Sequence, residues 1–511
     1  MDIFAFALYF VAMIAIGVYF FFKSKAVSEK DYFLGGRQMG PWVTAMSAQA
    51  SDMSAWLLMG LPGSILAFGF GQAWIGIGLA IGTAANWILV AKRLRKFSKA
   101  SGDAITLPQY LSNRFLSKSH TVSIICAVVF LVCFTIYVAS AFVAGSDVFT
   151  TLVPSLEKGT AMLIFAAIVV LYTFLGGFSA VCWTDFFQGL LMLAALLIVP
   201  IVVGFTRNLE PAALTTVYSG PNGEEFKFVS TFFNASWQDI LSGMGWGLGY
   251  FGMPHIIVRF MAIEKPSMVK KSATVAIVWV ILSLGAAIVI AYLGRMFVYS
   301  NGTDLSEVLL GQGKQSLIFV ELARDVFPTF VAGLLLAAII AASMSTADSQ
   351  LLVAASSFSS DLYKPLIRKN ASNKEMLWVS RVIVIVISVI AYFIASSKGE
   401  AAQAIMDLVS NAWGIFGAAF GPVVLLSLFW KRFTYKGAVA GIIVGAVVDM
   451  VWLWAPLCAG ATLTAATGVY EIIPGFIIGG IAAIIVTLID KAPSDDVKAI
   501  FEKATDNSID D

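Results

Sequence analysis

Runs of about twenty apolar residues, the length that crosses the hydrocarbon of a bilayer, recur from one end of this chain to the other. Thirteen spans are predicted, at about 3–22, 42–70, 72–91, 121–151, 160–176, 179–205, 237–258, 273–298, 327–357, 376–396, 402–429, 437–456 and 470–490. Few folds are open to such a sequence. In lipid every backbone N–H and C=O must find its partner within the protein, which these long runs can do only as helices. Composition points the same way. Of 511 residues 59% are hydrophobic and 13% charged, whereas a soluble domain carries about 25% charged residues. The expected class is an all-α polytopic membrane protein. The first run, "IFAFALYFVAMIAIGVYFFF", has neither a basic leader nor a small-residue cleavage site and reads as a retained helix. A net charge of +2 gives no case for nucleic acid.

The loops alternate in charge. Those after spans 1, 3, 7, 9 and 11 ("KSKAVSEK", "KRLRKFSK", "RFMAIEKPSMVKK", "KPLIRKNASNK", "KRFTYK") and the C-terminal tail hold most of the Lys and Arg. The positive-inside bias then predicts an outside N-terminus and a cytoplasmic C-terminus, as an odd number of spans requires. The transmembrane unit covers 1–490. The polar tail 491–511 can form an amphipathic surface helix and is too short for a signalling domain. The longest outside loop, 206–236, is expected to pack over the bundle mouth. Four scattered cysteines, Cys126, Cys133, Cys182 and Cys458, read as small core residues.

Two spans look breakable. Span 2 contains "SAQASDMSAW" followed by "GLPG", and span 7 contains "GMGWGLGYFGMP". Glycine and proline weaken a helix interior by about 1 and 3 kcal/mol relative to alanine. Interrupted helices five spans apart are what an inverted five-plus-five repeat would give, with unwound backbone facing a midplane cavity. The alternative is that the glycines only let helices approach closely.

Acids inside spans are costly, about 2.5–3.5 kcal/mol at a helix centre on insertion scales. Asp52, Asp185 and Asp348 are the three that stand deepest. Ala342, Ser345 and Thr346 follow one another at i, i+3 and i+4, and Ser345, Asp348 and Ser349 repeat the spacing. One face of span 9 thus offers oxygens suited to a hard monovalent cation, although such hydroxyls can also bond back to their own helix. Trp56, Tyr137, Trp246 and Tyr250 lie within spans, away from the interfacial belts where aromatics usually anchor. They could hold a small solute by stacking and apolar contact. No P-loop, GxSxG or HExxH is present, so neither an ATP-driven pump nor a membrane hydrolase finds its motif.

These residues carry a resemblance. The stretch from "DYFLGGRQMGPWVTAMSAQASDMSAWLLMGLPG" to "YEIIPGFIIG" resembles the sodium:solute symporter family, with its signatures at "GTAMLIFAAIVVLYTFLGGFSA" and "RFTYKGAVAGIIVGAV". "SDMSAWLLMGLPG", "FTIYVAS", "GWGLGYFGMPHI" and "AWGIFGAAFGPVVL" bring it nearest to the family's bacterial sodium/proline symporters. The resemblance implies thirteen helices, N-terminus outside, with a core of spans 2–11 in two inverted repeats, about 42–205 and 237–429. Spans 3–22, 437–456 and 470–490 would be peripheral. It implies a Na⁺ site made by the carbonyls of Ala50, Met53 and Ala342 and the hydroxyls of Ser345 and Thr346, with Asp52 acting directly or by holding the broken segment. The substrate pocket maps onto Ser54, Trp56, Tyr137, Trp246, Tyr250 and Pro254. A second Na⁺, as in some members, would use Asp185, Ser345, Asp348 and Ser349. Ala55 and Met253 depart from the proline carriers, which have glycine and often glutamine there, and Asp348 replaces a hydroxyl.

The function so implied is Na⁺-coupled uptake of L-proline by alternating access in a bacterial cytoplasmic membrane. No covalent step, organic cofactor or obligatory protein partner is needed. A symporter of another small solute is the nearest alternative, such as a different amino acid, a betaine or a monocarboxylate. A channel or a transporter-like sensor stands further off.

Overall fold

The computed structural model describes residues 2–23, 29–175, 177–398, 404–458 and 460–506. Part of the first basic loop (24–28), Gly176 of the first signature, the first two positions of expected span 11 (402–403) and the end of the tail (507–511) lie outside the described residues. The described residues are mostly helical. In order come α1 (Asp2–Lys23), α2 (Pro41–Asp52), α3 (Gly60–Phe68), α4 (Phe70–Ala100) and α5 (Thr121–Leu152). Then come α6 (Lys158–Leu175), α7 (Phe178–Thr206), α8 (Trp237–Gly245), α9 (Pro254–Ala262) and α10 (Val269–Arg295). The last are α11 (Thr329–Ser356), α12 (Asn373–Lys398), α13 (Ala404–Phe429), α14 (Tyr435–Trp454), α15 (Ile472–Ile489) and α16 (Asp495–Thr505).

Among the described residues nine helices are long and apolar enough to cross a membrane: α4, α5, α7 and α10 to α15. The apolar stretches of α1 and α6 are shorter, Ile3–Tyr19 and Lys158–Phe174. The regions of expected spans 2 and 7 each hold two short helices, α2 with α3 and α8 with α9.

Burial sorts the bundle into inside and rim. The apolar windows of α11 and α13 are 83% buried, those of α12 and α15 only 28%. α12 turns Val382, Ile385, Val389 and Phe393 outward. An apolar face of that size would be a liability in water and is the natural surface against lipid. The interior helix α11 packs on α1, α5, α7 and α12, and α2 is enclosed by α7, α9, α10 and α11.

Close approach explains part of the glycine richness of 243–252. A Cβ added at Gly247 would lie 2.4 Å from the Gly78 carbonyl oxygen of α4, and one at Gly249 would lie 2.0 Å from the Trp413 indole nitrogen. Neither neighbour can give way, so only glycine fits.

The basic loops all meet at one end of the bundle. Arg37 pairs with Asp103 (2.8 Å) and donates to the Ala104 carbonyl (2.7 Å) and the Met261 carbonyl. Arg95 donates to the carbonyls of Ile263 (2.6 Å) and Glu264 (2.9 Å). Lys364 pairs with Glu29, and Lys431 with Glu502 of α16. Burial pushes the Asp103 carboxyl up, but the bond from Lys30 and the charges of Arg37 and Lys30 outweigh it, leaving the group below its usual range. The tail helix α16 docks here through Phe501, whose ring meets Phe97 at 5.2 Å. At the opposite end, the 206–236 loop forms a two-residue hairpin pairing Tyr218 with Phe226. Arg295 ties it down through the carbonyls of Ala213 (3.1 Å) and Thr216 (2.8 Å).

Three details differ from the sequence reading. "KRLRKFSK" is helical, because α4 runs on to Ala100 and buries Arg95 against the chain after α9. Arg259 is not a loop residue: α9 continues to Ala262 and carries it 1% exposed into the interior. Cys458 is exposed in the turn after α14, while Cys126, Cys133 and Cys182 are buried as expected.

Candidate ion and substrate site

The site begins where α2 stops. Met53 still donates to Gln49 (2.9 Å), but its own dihedrals (φ −83, ψ 71) leave the helix. Ser54 is extended, and its N–H turns back to the Asp52 carbonyl at 3.0 Å. The Ser54 hydroxyl then accepts from the Trp56 N–H at 3.4 Å. Serine offers the backbone this alternative to a helical ladder, and the polar "SDMS" is where the ladder ends. A three-residue 3₁₀ turn, Ala55–Leu57, leads into α3.

α11 faces this end with its hydroxyls. The Ser345 Oγ lies 2.9 Å from the Ala50 carbonyl oxygen and 3.1 Å from that of Ala342. Three of the five oxygens expected around a sodium ion therefore meet at one point. Thr346, the next residue on α11, has a buried hydroxyl without a hydrogen-bond partner. Met53, the fifth, is fully buried beside the break. A buried cluster of carbonyl and hydroxyl oxygens with one hydroxyl lacking a protein partner suits a hard cation, since an unpaired buried polar group costs about 1–3 kcal/mol.

Asp52 binds the two irregular segments together. Its Oδ2 accepts from the Tyr250 hydroxyl at 2.5 Å, across from α2 to the 3₁₀ segment Trp246–Phe251 that joins α8 towards α9. Its Oδ1 is buried without a partner. The Tyr137 hydroxyl of α5 reaches the Asp52 carbonyl at 3.5 Å. Pro254 opens α9 at the first helical position, where its missing N–H costs nothing. Ala55 and Met253, the two departures from the proline carriers, are both buried at these junctions.

Three aromatics gather around Trp246. Trp56 and Trp246 lie with ring centroids 6.2 Å apart, and Trp246 stacks on Tyr470 (5.1 Å) and Trp413 (6.4 Å). The Trp413 indole donates to the Trp246 carbonyl at 2.8 Å and meets the Tyr250 ring edge-on. Above the stack a cavity of about 410 Å³ opens at the end opposite the basic loops. Its walls include Trp246, Tyr470, Asp239, Asp407, Asn411 and Glu471. Trp413 and Tyr470 were not among the predicted pocket residues. An in-span tryptophan inside "AWGIFGAAFGPVVL" was the available signal for Trp413; Tyr470 stands at the start of its span, where aromatics commonly anchor at the interface.

The residues expected for a second ion are arranged differently. Asp185 accepts from Ser47 (2.7 Å) and from Arg259 (3.0 Å), and Arg259 also donates to Ser349 at 2.6 Å. Ser349 in turn reaches Asp348 at 3.3 Å. Ser345 is engaged with Ala50, one helical turn away.

The family model described as "Sodium:solute symporter family" matches residues 32–445. A sodium/proline symporter of Salmonella typhimurium is 43% identical over 507 residues, covering 98% of this chain and 95% of its own. The sodium/proline symporter of Escherichia coli K12 is 42% identical over the same share of both. Among solved structures, a Na⁺-coupled sialic acid symporter in a substrate-bound, outward-open state superposes with a TM-score of 0.75. It shares 20% identity, with 96% of this chain and 98% of that one covered.

Proposed function

This chain belongs to the sodium:solute symporter family, and from that premise we propose that it takes up L-proline by Na⁺-coupled symport. It is a multi-pass protein of a bacterial cytoplasmic membrane, with Na⁺ as the coupling ion and a small solute as substrate. The observation that carries the reading is the meeting of Ser345 with the Ala50 and Ala342 carbonyls at the break after Asp52. Substrate identity rests on the two proline symporters, each above 40% identical over nearly the full chain.

In this reading the nine long helices are joined by α1, α6 and the pairs α2–α3 and α8–α9 to make thirteen spans. The two pairs are broken helices at equivalent places in two inverted five-helix repeats, 42–205 and 237–429. The basic end, where Arg37, Arg95 and Lys364 gather, faces the cytoplasm. The N-terminus is then outside and the 410 Å³ cavity opens outward.

Sodium enters through that cavity and settles on the carbonyls of Ala50, Met53 and Ala342 and the hydroxyls of Ser345 and Thr346. Binding there orders the end of α2, and the Asp52–Tyr250 bond passes the order to the 246–251 segment. Ser54, Trp56, Tyr137, Trp246, Tyr250 and Pro254 are then held as the proline pocket. A ligand moves such an equilibrium only by binding one state better than the other. Sodium does so because its ligand set is complete only when the broken end of α2 lies against α11. Proline is a zwitterion, so each sodium carries one net charge inward. At about 100 mV that charge yields about 2.3 kcal/mol. With about 1.4 kcal/mol per tenfold, the potential alone supports a proline gradient of roughly ten- to a hundredfold.

The test is radiolabelled proline uptake into proteoliposomes with an inward Na⁺ gradient. Accumulation should be saturable, absent when K⁺ replaces Na⁺, and reduced most by unlabelled proline among amino acids, betaines and monocarboxylates. Stronger competition by another of these would reassign the substrate. Uptake indifferent to Na⁺ would overturn the coupling.

A further inference from the structure

Two acids on the last two spans have no part in the transport reading. Asp449 of α14 is fully buried, and neither of its carboxylate oxygens has a hydrogen-bond partner. Glu471, at the head of α15, is 2% exposed and accepts from the Thr464 hydroxyl at 3.1 Å. Both pack over one glycine of α13: a Cβ added at Gly414 would lie 3.1 Å from Asp449 Oδ2 and 3.4 Å from Glu471 Cγ. The two carboxyls therefore converge where α13, α14 and α15 meet. Among the described residues no Lys, Arg or His pairs with either.

An acid within a span is costly and marks a functional group by default. Two carboxyls that share a site do not both ionise readily, so one of them keeps a proton. Their titratable neighbours bring no positive charge. The Cys133 thiol of α5 and the Tyr470 phenol stand within reach of the Asp449 charge, and Asp239 and Asp407 line the cavity beside Glu471. That cavity, at the end opposite the basic loops, gives the pair its access to water. Glu471 and Thr464 form part of its wall, and Asp449 is sealed behind them.

The pair is linked to the aromatic cluster by the preceding residue. Tyr470 stacks on Trp246 at 5.1 Å, and its hydroxyl donates to the Ser410 carbonyl of α13 at 2.7 Å. We propose that Asp449 and Glu471 together bind one proton taken from the cavity, and that this proton holds the Tyr470 side of the proline pocket in place. The inference takes its pocket and its orientation from the symport reading above. With the proton bound, at most one charge occupies the junction, and α15 stays packed on α13 and α14. When the proton leaves to cavity water, two like charges face each other in a buried site. Glu471 stands at the cavity and yields toward it, drawing Tyr470 off Trp246. Proline affinity is therefore full at low external pH and falls as pH rises through the loss of that proton.

The experiment measures binding of labelled proline to the purified protein in saturating Na⁺, from about pH 5 to about pH 9, a range that spans buried carboxyls. It compares the unaltered chain with Glu471→Gln and Asp449→Asn. Apparent affinity follows the protonated fraction, so the unaltered chain should lose about tenfold per pH unit above the step. Both variants should be level across the range, because one charge alone meets no repulsion. Asp449→Asn should also keep the affinity that the unaltered chain has at low pH. Binding of labelled Na⁺ without proline should follow the same pH profile in all three proteins. A proline affinity level with pH in the unaltered chain would overturn the proposal, as would a loss with rising pH that persists in either variant. Should one substitution prevent folding, the other decides. Absence of Na⁺-dependent proline binding by the unaltered chain at every pH would instead refute the function on which the proposal rests.

Discussion

Asp52→Asn abolishes Na⁺-stimulated proline uptake while the protein still reaches the membrane at normal abundance. The substitution keeps the shape of the side chain, and an amide oxygen can still accept from Tyr250, so the tie between α2 and the 246–251 segment is retained. What is lost is the negative charge, one of whose oxygens is buried without a partner next to the proposed cation site. At this buried position the carboxylate and an incoming Na⁺ compensate each other. Truncating one partner of a buried charge pair costs about 2–5 kcal/mol. At about 1.4 kcal/mol per tenfold, that is a loss of roughly thirtyfold to several thousandfold in apparent Na⁺ affinity. Uptake measured across a Na⁺ titration checks this, with membrane abundance followed by immunoblot. An unaltered Na⁺ dependence would remove Asp52 from the site.

The second large effect is expected at the aromatic stack. Trp246→Ala should weaken proline binding by roughly thirty- to several hundredfold, the range of a buried aromatic anchor worth about 2–4 kcal/mol. Na⁺ binding measured without proline should change little. The reasons lie in the local geometry. The Trp413 indole bonds to the backbone carbonyl at 246, which alanine also supplies, so the 3₁₀ segment keeps its anchor. The indole of Trp246, by contrast, lies between Trp56 and Tyr470 at the wall of the cavity, and nothing else fills that place. Scintillation proximity binding with labelled proline and, separately, labelled sodium distinguishes the two losses. Equal weakening of both would mean that Trp246 supports the fold and not the pocket.

Much of this was legible in the sequence because lipid reduces the choices. Apolar runs of span length, with charge alternating in the loops, leave little besides a helical bundle with one basic end, and the pairing of Lys364 with Glu29 and Lys431 with Glu502 reflects that alternation. The i, i+3, i+4 spacing of Ala342, Ser345 and Thr346 pointed to the side of α11 where the Ser345 hydroxyl meets the Ala50 carbonyl. Partners across helices were not legible. Nothing local in "PHIIVRFMA" says that Arg259 turns inward, because an arginine next to a basic loop looks like part of that loop. Its burial depends on Asp185, 74 residues earlier in the chain, and on two serines from other helices. Trp413 was missed for a similar reason. Its role depends on Gly249, whose missing side chain leaves room for the indole, and a glycine records no partner in its own sequence neighbourhood. The exposure of Cys458 was hidden by the apolar residues around a short turn.

We propose that one sodium ion is held between the broken end of α2 and the hydroxyls of α11. This is tested most directly by equilibrium binding of radiolabelled Na⁺ to the purified protein without proline, comparing the unaltered chain with Ser345→Ala and Thr346→Ala. The unaltered chain should bind Na⁺ saturably and without competition from K⁺, and each variant should need at least about tenfold more Na⁺, as expected for a lost ligand worth about 1.4 kcal/mol or more, with no change in melting temperature in Na⁺-free buffer. Both variants binding Na⁺ with the affinity of the unaltered chain would contradict the account.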